Sequence, residues 1–328
     1  MPAAVTPWWR NRRLIPWLAQ AAAGLVLLVL VAFLLGNLVR NLTAAGLLLS
    51  WGWIDNPAGF DIAETLLPFQ ADMPYWRGLL AGLVNTLRVV VVGLVGATLL
   101  GTLVGVAAFS SNGLLRRLAR VYVEVIRNIP LLLQLVFWYF VVFLALPGGS
   151  EAIQLPGVVL AKSGLYLGSP ELVNGQWQAP LRFTVEFSAL LTGLVVYTAA
   201  FIAEVVRGGV AAVPRGQWEA ARSLGFSHLQ MLQRIVLPQA LRVALPATVG
   251  QFITLLQDTT LLSLIGLLDL LGVARTVMAN PAYLGRNAEV YLVLAVLFWC
   301  CCAALGLGSR ALETRLNPNP PHRATAKA

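Results

Sequence analysis

The sequence predicts an all-α membrane protein of about six transmembrane helices. Three observations carry this. The chain of 328 residues is 58% hydrophobic and only 11% charged, against about a quarter charged in an ordinary soluble domain. Its apolar residues gather in long uncharged runs that a soluble core of this size does not need. Its 23 Lys+Arg against 14 Asp+Glu give a net charge of +9, and the arginines cluster at the ends of the apolar runs. A basic balance can signal nucleic acid, but this placement is that of cytoplasmic loops in a polytopic protein. Lipid is therefore expected as a partner, and nucleic acid is not.

The spans follow in chain order at about 17–39, 79–109, 121–146, 183–203, 241–268 and 290–308. Each is long enough to cross a hydrocarbon core of about 30 Å at about 1.5 Å per residue. Arg10, Arg12 and Arg13 precede the first run as in a signal peptide, yet the run exceeds a signal's core of about 7–15 residues and reads as an uncleaved span. The second run is longer than a bilayer requires, so its start is expected at the interface. An N-terminus in the cytoplasm puts most arginines on that side, from Arg116, Arg117 and Arg120 through Arg207, Arg215, Arg222, Arg234 and Arg242 to Arg310, Arg315, Arg323 and Lys327. Both termini are then cytoplasmic. Segments 41–77 and 147–182 become outer loops with short interfacial helices, and Trp51, Trp53 and Trp76 fit a membrane-surface aromatic belt. The Asn-Pro-rich tail 317–328 reads as disordered.

Enzyme chemistry has little to work with. No Gly-x-x-x-x-Gly-Lys-Ser/Thr is present, so the chain has no phosphate loop of its own. His228 and His322 are the two histidines, which rules out a zinc-protease pair. Cys300, Cys301 and Cys302 are adjacent and read as small apolar packing residues, with neither metal spacing nor a disulfide framework.

The informative polar stretch is 204–238, between the fourth and fifth spans. Pro214 suits the start of a helix over about 214–224, and Gly225 its stop. Ser227 and Gln230 match a capping box that opens a second helix. Leu229, Leu232, Ile235 and Val236 recur there at helical spacing, and Pro238 is expected to end it. On pattern alone this is a helix–turn–helix on the inner face or an ordinary surface loop.

The same stretch reads Glu219-Ala220-Ala221, three residues, Gly225, nine residues, then Ile235-Val236-Leu237-Pro238. It resembles the Glu-Ala-Ala…Gly…Ile-x-Leu-Pro signature of binding-protein-dependent ABC importer permeases at every spaced position. Further stretches resemble the polar amino acid branch. These are Asn85-Thr86-Leu87, Arg127-Asn128-Ile129-Pro130-Leu131-Leu132-Leu133-Gln134, Tyr197 through Glu204 with Arg207-Gly208-Gly209, and Gln257-Asp258-Thr259-Thr260-Leu261. The likeness covers about 77–312. The extra first span and long first outer loop resemble glutamate, glutamine and general L-amino acid permeases.

The resemblance implies a permease core of five helices plus one N-terminal helix. It divides the chain into an N-terminal part, 1–76, a permease domain, 77–312, and a tail, 313–328. It makes 219–238 the coupling loop that docks on a separate ATPase, with Arg215, Gly216, Glu219, Ala220, Ala221 and Gly225 as coupling residues. It implies a second permease subunit, the same or different, a soluble amino-acid-binding protein outside, and ATP with Mg on the ATPase partner rather than here. The setting implied is a bacterial inner membrane. The function expected is transport of polar L-amino acids. The competing readings are an ion-driven secondary transporter and a membrane scaffold that recruits a cytoplasmic partner.

Other residues admit two readings each. Gln134, Glu204, Gln251, Gln257, Asp258, Thr259 and Thr260 are polar residues in or near spans. They form a substrate path or join helices by hydrogen bonds. Arg127, next to Pro130, either holds a negative group or snorkels to the inner surface, and its place near the start of the third span favours snorkelling. Gly93, Ala97, Gly101 and Gly105 form a small-residue ladder for packing within the chain or across a dimer. His228 is a pH-sensitive group or a plain helix-start residue.

Overall fold

The computed structural model describes residues 14–46, 50–281 and 285–316. Arg10, Arg12, Arg13, His322, Arg323, Lys327 and the whole tail 317–328 lie outside the described residues. The chain divides into two units, Met1–Trp51 with Gly285–Glu289, and Gly52–Leu284 with Val290–Ala328. In the first, α1 (Leu14–Ala44) is a 31-residue helix with exposed apolar side chains along its length. Such a helix suits a lipid solvent, where uniform hydrophobicity replaces an amphipathic face.

The second unit opens with a 3-10 turn at Gly52–Asp55 and an extended stretch that folds back as a core element. Trp53 is buried and meets the Tyr75 ring edge-on at 5.8 Å. It belongs to the core rather than to the expected aromatic belt, while Trp51 and Trp76 stay exposed. Helix α2 (Tyr75–Ala107) follows. Its small residues answer the question of the ladder. A Cβ at Gly101 would stand 2.7 Å from the Ala199 carbonyl oxygen, and one at Gly105 would stand 2.8 Å from that of Ala203. The ladder therefore packs α2 against α5 (Val185–Ala211) within one chain.

The third span, expected as one run over 121–146, is broken. Helix α3 (Gly113–Asn128) ends before α4 (Leu131–Val136), which continues as a π turn over Phe137–Phe143, and the two parts bend by 106°. Pro130 is the cause, because it lacks an N–H and pushes Ile129 out of helical geometry, to φ −103° and ψ 128°. Gln134 repairs the break. Its Nε2 donates to the Ile126 and Ile129 carbonyls at 2.8 and 2.9 Å.

Between α4 and α5 the structure holds a short 3-10 turn at Gly149–Glu151 and six short strands, where the expectation was of short helices alone. They are β1 (Ile153–Leu155), β2 (Val158–Ala161), β3 (Gly164–Leu167), β4 (Glu171–Val173), β5 (Gln176–Gln178) and β6 (Leu181–Phe183). The antiparallel sheet runs β1-β2-β3-β6, and β4-β5 is a separate hairpin. That hairpin turns at Asn174-Gly175, both at positive φ, the chemistry a two-residue hairpin loop demands.

A largely shielded ion pair ties the first outer segment to α2. Arg88 Nη1 lies 2.7 Å from Glu64 Oε1, both side chains 12% exposed. The guanidinium sits 4.7 Å from the Phe183 ring centroid and 4.4 Å from that of Phe187. The Thr184 N–H donates to Glu64 Oε2 at 2.7 Å. Neither charged residue carries a local sequence signal, because the partners are joined only by tertiary structure.

Beyond α5 lie α6 (Arg215–Ser223), α7 (His228–Met231), a π turn at Leu232–Val236 and α8 (Leu237–Asp258). Pro238 does not end a helix as expected. It sits in the first turn of α8, where a missing N–H costs nothing, and the chain runs on helically. A 3-10 turn (Thr259–Leu264), α9 (Leu270–Ala279) and α10 (Asn287–Leu316) complete the order. Asp269 caps α9, accepting from the Gly272 N–H at 2.8 Å. Burial pushes its carboxyl up to about 7, against the pull of backbone N–H groups.

Among the described residues, α1, α2, α5 and α10 are long and apolar enough to cross a membrane, and the bent α3–α4 pair is a fifth if taken as one span. Helix α8 occupies the start of the expected fifth span at 241–268. With Gln239, Arg242, Gln251, Gln257 and Asp258 it is more polar than those four.

Candidate functional site

Two neighbouring features carry the polar chemistry, a loop and a cavity. The loop is α6 with α7. Helix α6 starts after Pro214 and ends in a left-handed glycine cap. Gly225 has φ +79°, Phe226 N–H donates to the Ala221 carbonyl at 3.2 Å, and Gly225 N–H to that of Arg222 at 3.0 Å. A Cβ on Gly225 would meet nothing within 4 Å, so backbone conformation rather than space requires glycine here. The capping box is formed. Gln230 N–H donates to Ser227 Oγ at 3.3 Å, and Ser227 N–H to Gln230 Oε1 at 2.9 Å.

The loop is fastened to its own chain by an apolar cluster of Val210, Val213, Leu232, Val236 and Ala240, with Val106, Phe109 and Trp218 against it. Of the six expected coupling residues, Arg215, Gly216, Glu219, Ala220 and Gly225 are exposed. Ala221 is not. It is 2% exposed, so its small side chain serves inward packing and is not offered to a partner. Leu224 is 76% exposed beside them.

The cavity measures about 790 Å³ and lies between the end of α2, α3 and α5. Its charged lining is Arg116, Arg120, Glu124, Arg127, Glu204 and Arg207. Arg207 Nε donates to Glu204 Oε2 at 2.8 Å, with both side chains still in contact with solvent. The Arg127 guanidinium stands 5.1 Å from the Phe201 ring centroid. Arg127 therefore lines this cavity, with its side chain exposed. Tyr197 lies within electrostatic reach of both Arg127 and Asp258.

The residues expected to form a path are not brought together. Glu204 lines the cavity, whereas Gln134 is buried at the α3–α4 break. Thr259 and Thr260 return their hydroxyls to their own backbone, to Leu256 O at 2.6 Å and Gln257 O at 2.8 Å. Gln257 is exposed, and Asp258 and Gln251 are half-buried on α8. Among the described residues no cluster of His, Cys, Asp and Glu could hold a metal ion. Cys301 and Cys302 pack against the α2–α5 core, and Cys300 is exposed.

Comparison with known proteins assigns the fold to a family. Residues 97–318 match the model of the binding-protein-dependent transport system inner membrane component. The chain belongs to this family. It is a multi-pass inner membrane component of an ABC transporter, and not an enzyme. The general L-amino acid transport system permease protein AapQ of Rhizobium johnstonii is 33% identical over 331 residues, covering 80% of this chain and 81% of that one. The glutamate/glutamine/aspartate/asparagine transport system permease protein BztB of Rhodobacter capsulatus is 29% identical over 377 residues, covering 85% and 88%. A crystal structure of an amino acid ABC transporter with histidines superposes with a TM-score of 0.55 at 26% identity, covering 74% of this permease and 95% of that chain.

Proposed function

We propose that this permease moves polar L-amino acids, delivered by a soluble binding protein, through the cavity between α2, α3 and α5. Power comes from a separate ATPase that grips the α6–α7 loop. The observation that carries this reading is the pairing of an exposed, doubly capped loop with a charged cavity that shares Phe109 with the loop's apolar cluster. A zwitterion needs a cation for its carboxylate and an anion for its ammonium. Arg127 and Glu204 supply one of each in one cavity. The relatives named for glutamate, glutamine and general L-amino acids support the substrate class.

On the loop, Arg215, Glu219 and Arg222 offer charges to the partner, and Gly216 and Ala220 allow its backbone to come close. Gly225 fixes the angle of the two helices, and Ala221 seats α6 from beneath. ATP and Mg bind on the partner. Both termini lie in the cytoplasm of a bacterial cell, and a second permease, the same or different, completes the path. Residues 1–76 precede the permease domain at 77–312, and 313–316 finish α10 before the tail. ATP binding drives transport only because the partner holds one conformation of the loop more tightly than the other.

The test replaces Glu219 by Arg and Gly225 by Val in the full chain. After membrane insertion is confirmed, retention of the ATPase and uptake of a radiolabelled L-amino acid mixture are measured in vesicles. Both should fall about tenfold or more. Full uptake with no ATPase present would instead favour an ion-driven transporter. ATPase binding without any uptake by the intact chain would favour a scaffold.

A further inference from the structure

We propose that His228 is a positioning residue that transmits movement of the α6–α7 loop to the cavity wall through the end of α2. The proposal rests on the reading of that loop as the ATPase contact. His228 opens α7, and its Nε2 lies 2.8 Å from the Phe109 carbonyl oxygen. A carbonyl can only accept, so Nε2 carries the proton and donates. The imidazole also stacks on the Trp218 ring of α6, with centroids 6.0 Å apart and planes 26° from parallel. One side chain thus joins both helices of the loop to the segment just beyond α2.

Phe109 is itself a lining residue of the 790 Å³ cavity. The turn that holds it is a tight continuation of α2, since Phe109 and Ser110 N–H groups donate to the Val106 and Ala107 carbonyls at 2.9 and 3.0 Å. The same turn leads into α3. Arg116 Nη1 donates to the Ser110 carbonyl at 2.9 Å, and Asn112 Oδ1 accepts from the Leu114 N–H at 2.9 Å. Helix α3 then carries Arg127 to the cavity. A displacement of the loop therefore pulls directly on the corner between two of the three cavity walls.

Capping does not account for His228, because Ser227 and Gln230 already cap α7. Nor does packing alone. The contacts of Val106, Val213 and Leu232 resist compression without fixing direction. A hydrogen bond to a backbone carbonyl is directional and resists separation as well. The two kinds of contact together make the loop and the α2 corner move as one piece.

The test uses the full-length permease in cells without their own copy, with His228→Ala and His228→Gln compared with the wild type. Uptake of a radiolabelled L-amino acid mixture is read alongside the ATPase retained on the purified permease. The Ala variant should lower uptake about fivefold with ATPase retention unchanged. The Gln variant, which can present an N–H to the same carbonyl, should recover about half of the loss or more. Uptake by the Ala variant within about twofold of wild type overturns the proposal, as does a Gln variant no better than Ala. Loss of the ATPase from the Ala variant also overturns it, by placing His228 in the docking face. Should Ala fail to insert, His228→Leu takes its place, and uptake by Leu equal to that by Gln overturns it. A wild-type permease that retains no ATPase is a different result, and refutes the reading of the loop.

Discussion

The α6–α7 loop is assembled from near neighbours in sequence, whereas the cavity beside it is assembled from three helices. In the loop, Pro214, Gly225, Ser227 and Gln230 each act on backbone groups a few residues away. In the cavity, Arg127 comes from α3 and Glu204 from α5, and nothing in their local sequence joins them. The two regions meet at Phe109, which belongs to both. The difference teaches where specificity for each partner can reside. A docking loop needs a fixed backbone shape, which short-range spacing encodes. A path for a small zwitterion needs opposed charges at a distance, which only helix packing can set.

Three substitutions would break or sharpen this contrast. The largest effect is expected from Arg127→Ala, which removes the cavity's candidate carboxylate partner. Uptake of the amino acid mixture should fall about a hundredfold while the ATPase stays bound. Next is Gly105→Leu, at the wall where α2 meets α5. Its Cβ would press on the Ala203 carbonyl, and overpacking of this kind costs about 1–3 kcal/mol. A lower thermal midpoint in detergent checks it. The smallest effect is expected from Ser227→Ala, which loses one cap of α7 and about 1 kcal/mol. Hydrogen exchange should quicken at the first amides of α7 and stay unchanged in α2 and α5.

The same contrast explains what could be read from the sequence. Helix ends in the loop were legible, because caps and left-handed glycines leave residue-specific marks. So was the small-residue ladder of α2, although its partner α5 became visible only in the fold. Pro238 misled, since a proline that looks like a stop is also tolerated in a first turn. Pro130 lies inside an apolar run that reads as one span, though its effect on Ile129 breaks that span. The Asn174-Gly175 hairpin had a recognised signal that the expectation of helices obscured. The Glu64–Arg88 pair and the cavity role of Arg127 had none, because their partners Phe183, Phe187 and Phe201 lie far along the chain.

The proposed contact is between the ATPase and the exposed face of α6. Cross-linking from a single cysteine tests it most directly. Cys300, Cys301 and Cys302 are first replaced by Ala, and Ala220→Cys is compared with Val173→Cys on the β4 strand in native membranes. A cross-link to the ATPase subunit is expected from position 220 and none from position 173. A cross-link from 173 with none from 220 would contradict it.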